Sequence, residues 1–119
     1  MDSQSMAQSF HGHNDMEDYW QENQFWIEPT LDLIQREEFV LDTPYRKLFA
    51  KHFPRVTESG VNYECRRMWQ LGRSIIENGY QLTSQIRVET KKGITRIKAG
   101  WHRARVLRAL GIDYEVTTE

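Results

Sequence analysis

Residues 100–111 read Gly-Trp-His-Arg-Ala-Arg-Val-Leu-Arg-Ala-Leu-Gly, an amphipathic run with a glycine at each end. Its apolar residues recur at helical spacing and predict a helix over about 101–110, which Gly111 ends. The apolar side is formed by Val106, Leu107 and Leu110, and the charged side by Arg103, Arg105 and Arg108. Because a predicted strand precedes Gly100, this run marks a strand-to-helix corner.

The corner has the features of an anion-binding site. Gly100 allows a sharp turn, and the first N–H groups of a helix have no partners within that helix. His102 and Arg103 lie in the first turn, where the helix dipole disfavours cations unless an anion compensates. The corner therefore predicts phosphate binding by Gly100, His102 and Arg103, with Trp101 either stacked on a base or packed beneath. The alternative is a turn glycine followed by scattered surface arginines.

The residues on either side of this corner predict a small α+β fold, with helices packed against a mixed sheet. Alternation predicts a hairpin with strands 86–90 and 94–98, in which Ile86 and Val88 share one face, and a last strand over 112–116. Apolar spacing predicts a helix over about 62–77 that ends at Gly79. An earlier helix begins at Thr43-Pro44 and ends at Pro54, with His52 at the edge of its apolar face.

The N-terminal part has weaker patterns. Residues 1–20 show neither a strand nor a helix period, and we expect a mobile arm. Residues 25–33 predict a strand pair, or a strand and a turn. A single domain over 21–119 is expected to follow the arm. His11, His13 and Asp15 are metal-binding residue types, but a flexible arm fixes no complete ligand set, and we expect no metal site.

The corner helix also carries a family resemblance. Residues 100–111 resemble the ParB motif Gly-Glu-Arg-Arg with its helix to Leu-Gly, and resemble the sulfiredoxin motif Gly-Cys-His-Arg even more. Residues 71–79 are similar to the family's helix that contains Leu-Ala-x-Ser-Ile, and Ile86-x-Val88 to the strand after it. The resemblance covers about 58–119 and leaves 21–57 as a divergent part. It implies a ParB/sulfiredoxin-like fold.

The resemblance also implies a function for the corner. Family members hold phosphate groups there: of ATP in sulfiredoxins, of CTP in ParB clamps and of a nucleotide in free-serine kinases. It thus implies a stand-alone module that binds a nucleotide or phosphate group at Gly100, Trp101, His102 and Arg103, with a nucleoside triphosphate and magnesium as the expected ligand. Trp101 replaces the catalytic cysteine of sulfiredoxin, so sulfiredoxin activity is excluded.

The charge distribution supports a second hypothesis. The formal net charge of -1 hides an acidic first half and a basic second half. Basic surfaces bind nucleic acid or acidic proteins, which makes a nucleic-acid-binding or inhibitory interaction module the alternative. The candidate contacts are Arg66, Arg67, Arg73, Arg87, Lys91, Lys92, Arg96 and Lys98. Two solvated faces of a small domain would give the same charges.

A small kinase or nuclease is the third hypothesis. It would need a general base near the corner, and the sequence does not place Glu28, Asp32, Glu37, Glu38 or Asp42 there. Cys65, the single cysteine, lies on a predicted apolar stripe and is expected to be buried rather than nucleophilic. We therefore expect binding rather than catalysis. Without a long apolar run, we expect a cytoplasmic protein without membrane contact.

Overall fold

The computed structural model describes residues 7–9, 14–80 and 86–118 of the 119-residue chain. The chain divides into two compact units. The first, which we call the sheet unit, is drawn from Met1–Gln24 and Gln81–Glu119, and the second, the helical unit, is Phe25–Tyr80. The α+β class predicted from the sequence is confirmed. The sheet unit uses both ends of the chain, and the single domain over 21–119 stays a prediction.

The sheet unit contains a mixed sheet, as the sequence predicts, and among the described residues this sheet has four strands. The strand order is β1-β4-β2-β3; β2 and β4 are parallel, and the other two pairs are antiparallel. Parallel neighbours need a crossover connection, and helix α5 lies between β3 and β4 in the chain. The strands are β1 (Ala7–Ser9), β2 (Ile86–Lys91), β3 (Ile94–Ala99) and β4 (Glu115–Thr118), and α5 is Trp101–Leu110.

One face of this sheet forms the core of the sheet unit. Ile86 and Val88 on β2 are buried, as the alternation predicts, and Val116 of β4 is paired with Ile86 and also buried. Helix α5 packs near β2 and contributes Val106 and Leu107, which are fully buried. The α5 boundaries agree with the prediction, because Gly111 ends the helix in the left-handed conformation.

The β2–β3 turn consists of Lys92 and Gly93. Their φ angles are 54° and 78°, so both central residues lie in the left-handed region. A two-residue turn of this kind matches the twist of antiparallel strands, and glycine adopts it without a Cβ clash. The predicted hairpin is confirmed, with Lys91 belonging to the strand.

Part of the stretch predicted as an N-terminal arm belongs to a helix and a strand. Residues Asn14–Asn23 form helix α1, and β1 pairs with β4. Met16 and Trp20 are buried, and the indole Nε1 of Trp20 donates a hydrogen bond of 2.8 Å to the Tyr114 hydroxyl. Two buried residues spaced i, i+4 in an otherwise polar segment are too few to set a sequence period. His11 and His13 lie outside the described residues.

The helical unit consists of helices α2, α3 and α4, which pack on one another. The predicted strand over 25–33 is wrong, because a 3₁₀ turn at Gln24–Trp26 leads directly into α2. The buried residues Trp26, Thr30, Leu33 and Ile34 recur at helical spacing. Pro29 lies in the first turn, where its missing N–H breaks no hydrogen bond. The helices are α2 (Ile27–Gln35), α3 (Pro44–His52) and α4 (Glu58–Asn78).

The ends of α3 and α4 follow local rules. The Thr43 hydroxyl accepts a hydrogen bond from the Arg46 amide at 3.3 Å and caps α3, as the Thr-Pro pair predicts. Helix α4 ends at Gly79, as predicted. It begins at Glu58 rather than near residue 62, because Thr57 caps it through the Gly60 amide at 3.2 Å.

Helices α2 and α4 lie unusually close to each other at Gly72. A Cβ on Gly72 would overlap the branched side chain of Ile34. Trp69 and Arg73 of α4 also donate hydrogen bonds to the carbonyl oxygens of Arg36 (2.8 Å) and Ile34 (3.1 Å). These bonds satisfy backbone acceptors at the end of α2, which a helix leaves unpaired.

No helix among the described residues is long and apolar enough to cross a membrane.

Candidate phosphate-binding corner

The corner forms where β3 ends at Ala99 and α5 begins at Trp101. Gly100 lies between them with φ 88° and ψ 21°, in the left-handed region that glycine adopts without strain. The first hydrogen bond of the helix runs from the Ala104 amide to the Gly100 carbonyl at 2.9 Å. Gly100 is the N-cap residue and has no side chain with which to cap α5. The sequence therefore places the glycine at the position where the backbone turns.

The electrostatics of the corner favour an anion. In an α-helix the first N–H groups lack acceptors within the helix and carry about half a positive charge together. Here the amides of Trp101, His102 and Arg103 occupy that first turn, which contains no acidic residue. The side chains of His102 and Arg103 are half-buried beside them. Two polar side chains and the backbone amides thus lie within a single helical turn.

The Trp101 ring is packed within the corner. The His102 ring stacks on it, with centroids 3.6 Å apart and planes inclined by 27°. The guanidinium carbon of Arg105 lies 4.1 Å from the centroid of the same ring, a cation–π contact. Of the two roles considered for Trp101, the geometry favours packing over stacking on a base.

Arg105 is buried at the corner. The sequence pattern predicts it on the charged side of α5, yet only 6% of it is exposed. Burial raises the pKa of the Tyr19 phenol on α1. The nearby Arg105 guanidinium lowers that pKa by a smaller amount. The i, i+4 spacing of Trp101 and Arg105 was the available signal, since these positions are neighbours on a helix.

The predicted nucleic-acid contacts are divided between the two units. Five of the eight lie on or next to the β2–β3 hairpin in the sheet unit, and three lie on α4 in the helical unit. The hairpin residues are Arg87, Lys91, Lys92, Arg96 and Lys98, and the α4 residues are Arg66, Arg67 and Arg73. The eight side chains therefore do not form one patch within either unit.

Two of the α4 arginines make contacts within the helical unit. Arg73 donates to the Ile34 carbonyl and pairs with Glu77 at 3.1 Å. The guanidinium of Arg66 lies 4.3 Å from the centroid of the Phe39 ring. These contacts give Arg73 in particular a structural role within the helical unit, and its nucleic-acid contact stays a prediction.

Cys65 is buried on α4, as its place on the apolar stripe predicts. The pKa of its thiol is raised from 9.0 to about 11, mainly by burial and also by the neighbouring Glu64, while Arg46 opposes both. A thiol with a raised pKa is a poor nucleophile at neutral pH. Cys65 is therefore a core residue.

The acidic residues considered as general bases all belong to the helical unit, whereas the corner belongs to the sheet unit. Asp32 is paired with Arg36 at 3.1 Å. Within the described ranges, no three His, Cys, Asp or Glu side chains are grouped so that they could hold a metal ion. The polar groups of the first turn of α5 are its backbone amides, the His102 imidazole and the Arg103 guanidinium.

Comparison of the chain with protein-family models, with curated proteins and with solved structures gives no match.

Proposed function

We propose that the corner binds the phosphate group of a nucleotide or of another phosphate ester. The proposal rests chiefly on one observation: a left-handed glycine, Gly100, caps the start of α5, and His102 and Arg103 lie in the first turn that follows. Two cationic or polar side chains in a first turn oppose the helix dipole, and a bound phosphate removes that conflict. The resemblance of residues 100–111 to the ParB and sulfiredoxin corners supports the same ligand class.

The roles of the residues follow from their chemistry. The backbone amides of the first turn would donate to the phosphate oxygens, and Arg103 would add a planar pair of N–H donors. His102 would contribute a ring N–H while its other contacts keep the Trp101 ring in place. Buried Arg105, held against Trp101, would add positive charge behind the corner without touching the ligand.

The packing of Trp101 supports recognition of the phosphate more than of the base. Its ring already contacts His102 and Arg105, so a base would have to displace one of them to stack there. We therefore expect ATP, CTP and GTP, which share the phosphate contacts, to bind with affinities within about threefold of one another, a difference of about 0.6 kcal/mol. Inorganic tripolyphosphate should compete with all three.

Isothermal titration of the full chain with ATP, CTP, GTP and ADP, each with magnesium, tests the proposal. Replacing Arg103 by alanine should weaken triphosphate binding about tenfold or more, since a charge-assisted pair contributes about 1.5–3 kcal/mol. Arg67→Ala is the matched control, because Arg67 is an exposed arginine on α4 in the other unit. Absence of binding, or equal affinities for the two variants, would contradict the proposal.

A further inference from the structure

The β2–β3 hairpin extends beyond the rest of the sheet. Strand β4 pairs with β2 only at Ile86, Arg87 and Val88, whereas β2 and β3 stay paired as far as Lys91 opposite Ile94. Strand β3 is an edge strand. Among the described strands, residues 89–96 therefore form a two-stranded ribbon, and its end is the Lys92-Gly93 turn.

This ribbon and its base are strongly basic. The stretch 86–99 contains a single acidic residue, Glu89, and its cations are Arg87, Lys91, Lys92, Arg96 and Lys98. All five of these cationic residues are exposed. Glu89 neutralises part of this charge, because its carboxylate lies 3.8 Å from the Lys98 ammonium and 4.0 Å from that of Lys91. An excess of positive charge remains along the ribbon.

The two faces of the ribbon carry different groups. Residues opposite each other on antiparallel strands share a face, so Glu89 and Arg96 lie on one face together with Lys91 and Ile94. Ile94 is 60% exposed, which is high for a large apolar side chain. The other face carries Thr90 and Thr95, whose hydroxyl oxygens are 2.8 Å apart. The ribbon thus presents cations, hydroxyl groups and one apolar side chain to its surroundings.

We propose that the β2–β3 ribbon docks in the major groove of double-stranded DNA. The major groove admits a two-stranded β-ribbon, and lysine and arginine side chains along such a ribbon neutralise the flanking phosphates. Ile94 then supplies an apolar contact of the kind that thymine methyl groups accept. This interaction is separate from phosphate binding at the corner and does not depend on it.

The composition of the ribbon argues for duplex DNA over other nucleic acids. Single-stranded nucleic acid is held by stacking on aromatic side chains, and residues 86–99 contain no Phe, Tyr or Trp. Duplex RNA has a deep, narrow major groove that side chains do not read. A cationic ribbon without aromatic side chains therefore fits the wider groove of B-form DNA.

Fluorescence anisotropy of a labelled DNA duplex with the full chain, over a range of salt concentrations, tests the proposal. The triple variant Lys91→Gln, Lys92→Gln, Arg96→Gln should bind at least about tenfold more weakly. For this variant the slope of log K against log salt concentration should be smaller in magnitude by about 2 to 3, because each phosphate contact contributes about 0.9 to that slope. The matched control is Lys47→Gln, Lys51→Gln, Arg55→Gln, which removes the same charge from exposed positions of the helical unit.

A gain of affinity provides a second measurement that misfolding cannot imitate. Glu89→Gln removes the one acid of the stretch 86–99 and with it the two ion pairs that Glu89 forms with Lys91 and Lys98. Duplex binding should tighten about two- to fivefold, the size expected for a single exposed or half-buried charge interaction. Arg103→Ala should leave duplex binding unchanged, so that failure at the corner and failure at the ribbon are distinguished.

Four results would overturn the proposal. The first two are that the full chain does not bind duplex DNA at low salt, and that the triple variant and its control lose the same amount of affinity. The other two are that the full chain binds single-stranded DNA or duplex RNA as tightly as duplex DNA, and that Arg103→Ala abolishes duplex binding. Melting curves of every variant show whether the fold is retained before affinities are compared.

Discussion

The hydroxyl of Tyr114 accepts a hydrogen bond from the indole of Trp20, and both residues are buried in the sheet unit. Tyr114 directly precedes β4, and Trp20 lies on α1, 94 positions earlier. Arg108 of α5 lies near the same group, with its guanidinium carbon 5.6 Å from the Trp20 ring centroid. This single bond therefore links the two ends of the chain that build the sheet unit.

Replacing Tyr114 by phenylalanine should lower the free energy of unfolding by about 1–3 kcal/mol. The substitution removes the acceptor and leaves the buried indole N–H without this partner, which costs its desolvation penalty. Urea denaturation followed by fluorescence measures the change. Tyr63→Phe is the control, because the Tyr63 side chain is 66% exposed and should change stability by no more than about 0.5 kcal/mol. Equal stabilities of the two variants would contradict the predicted role of the bond.

Cys65 should make the stability of the protein fall with pH in the alkaline range. The folded chain keeps the thiol proton up to about pH 11, whereas the unfolded chain loses it near its ordinary pKa of 9.0. Between these values the unfolded state binds fewer protons than the native state, so stability decreases as pH rises. The full loss corresponds to about 2 to 3 kcal/mol.

Comparing the free energy of unfolding of the wild type and of Cys65→Ala isolates this effect. The pH range runs from 8 up to the thiol pKa of about 11. The variant is expected to be less stable at pH 8, because it lacks buried atoms, but to lose less stability as pH rises. Tyr19 and Tyr114, whose pKa values are raised mainly by burial, are present in both proteins. Parallel pH profiles would show that the thiol does not titrate differently in the two states.

At the scale of elements, the crossing of α2 and α4 depends on Gly72. A methyl group at this position would meet the β-branched Ile34 side chain close to the α2 backbone, where it cannot easily move away. Helix propensity alone would favour alanine by about 1 kcal/mol. The steric conflict should exceed this gain because the overlapping atoms lie near two rigid backbones.

Gly72→Ala is therefore expected to destabilise the protein by about 1–3 kcal/mol, the usual cost of overpacking. Ser74→Ala is the control, since Ser74 is exposed on the same helix and should be neutral or slightly stabilising. Thermal unfolding by circular dichroism compares the three proteins. A stabilised Gly72→Ala variant would indicate that propensity outweighs the close approach.

Helix α1 shows that the apolar pattern of a segment does not always predict its secondary structure. The α4 stripe contains many apolar residues and predicts its helix correctly, whereas α1 buries chiefly Met16 and Trp20 among polar neighbours. For α2, the alternating leucines after Pro29 indicate a strand. The segment is nevertheless a helix, in which Thr30 and Ile34 are buried. Short segments with few apolar residues are determined by what they pack against, so their own pattern is not sufficient.

At the scale of the whole molecule, the sheet unit needs residues from the N-terminal segment. Deleting residues 1–24 removes α1, β1 and the buried Met16 and Trp20 side chains. The loss should destabilise the sheet unit by at least about 3 kcal/mol, the cost of deleting a large buried side chain. Amide hydrogen exchange of β2, β3 and α5 should become correspondingly faster.

A chain that lacks only residues 1–6 serves as the control for this deletion, because it retains β1 and α1. Its exchange rates in β2, β3 and α5 are expected to match those of the full chain. Unchanged protection after removal of residues 1–24 would favour the mobile arm predicted from the sequence over an integral helix. The two deletions thus separate the two interpretations of the N-terminal segment.

Local sequence patterns were sufficient for the elements that surround the candidate site. The cap at Thr43, the glycine stops at Gly79 and Gly111, the hairpin and the corner at Gly100 all depend on a few adjacent residues. Capping preferences and positive φ angles are properties of such short segments. The backbone of the corner was therefore predictable from the sequence. Its proposed ligand is tested by the isothermal titrations.

The tertiary structure decided what joins distant parts of the chain. It pairs β4 with both β1 and β2, buries Arg105 against Trp101, and brings Trp20 to Tyr114. It also separates the basic residues of α4 from those of the hairpin into different units. Contacts of this kind arise from packing between elements, and sequence periodicity within one element carries no information about its partner. By itself, the sequence determined the corner and its helix; tertiary packing determined the surroundings of Trp101 and Arg105.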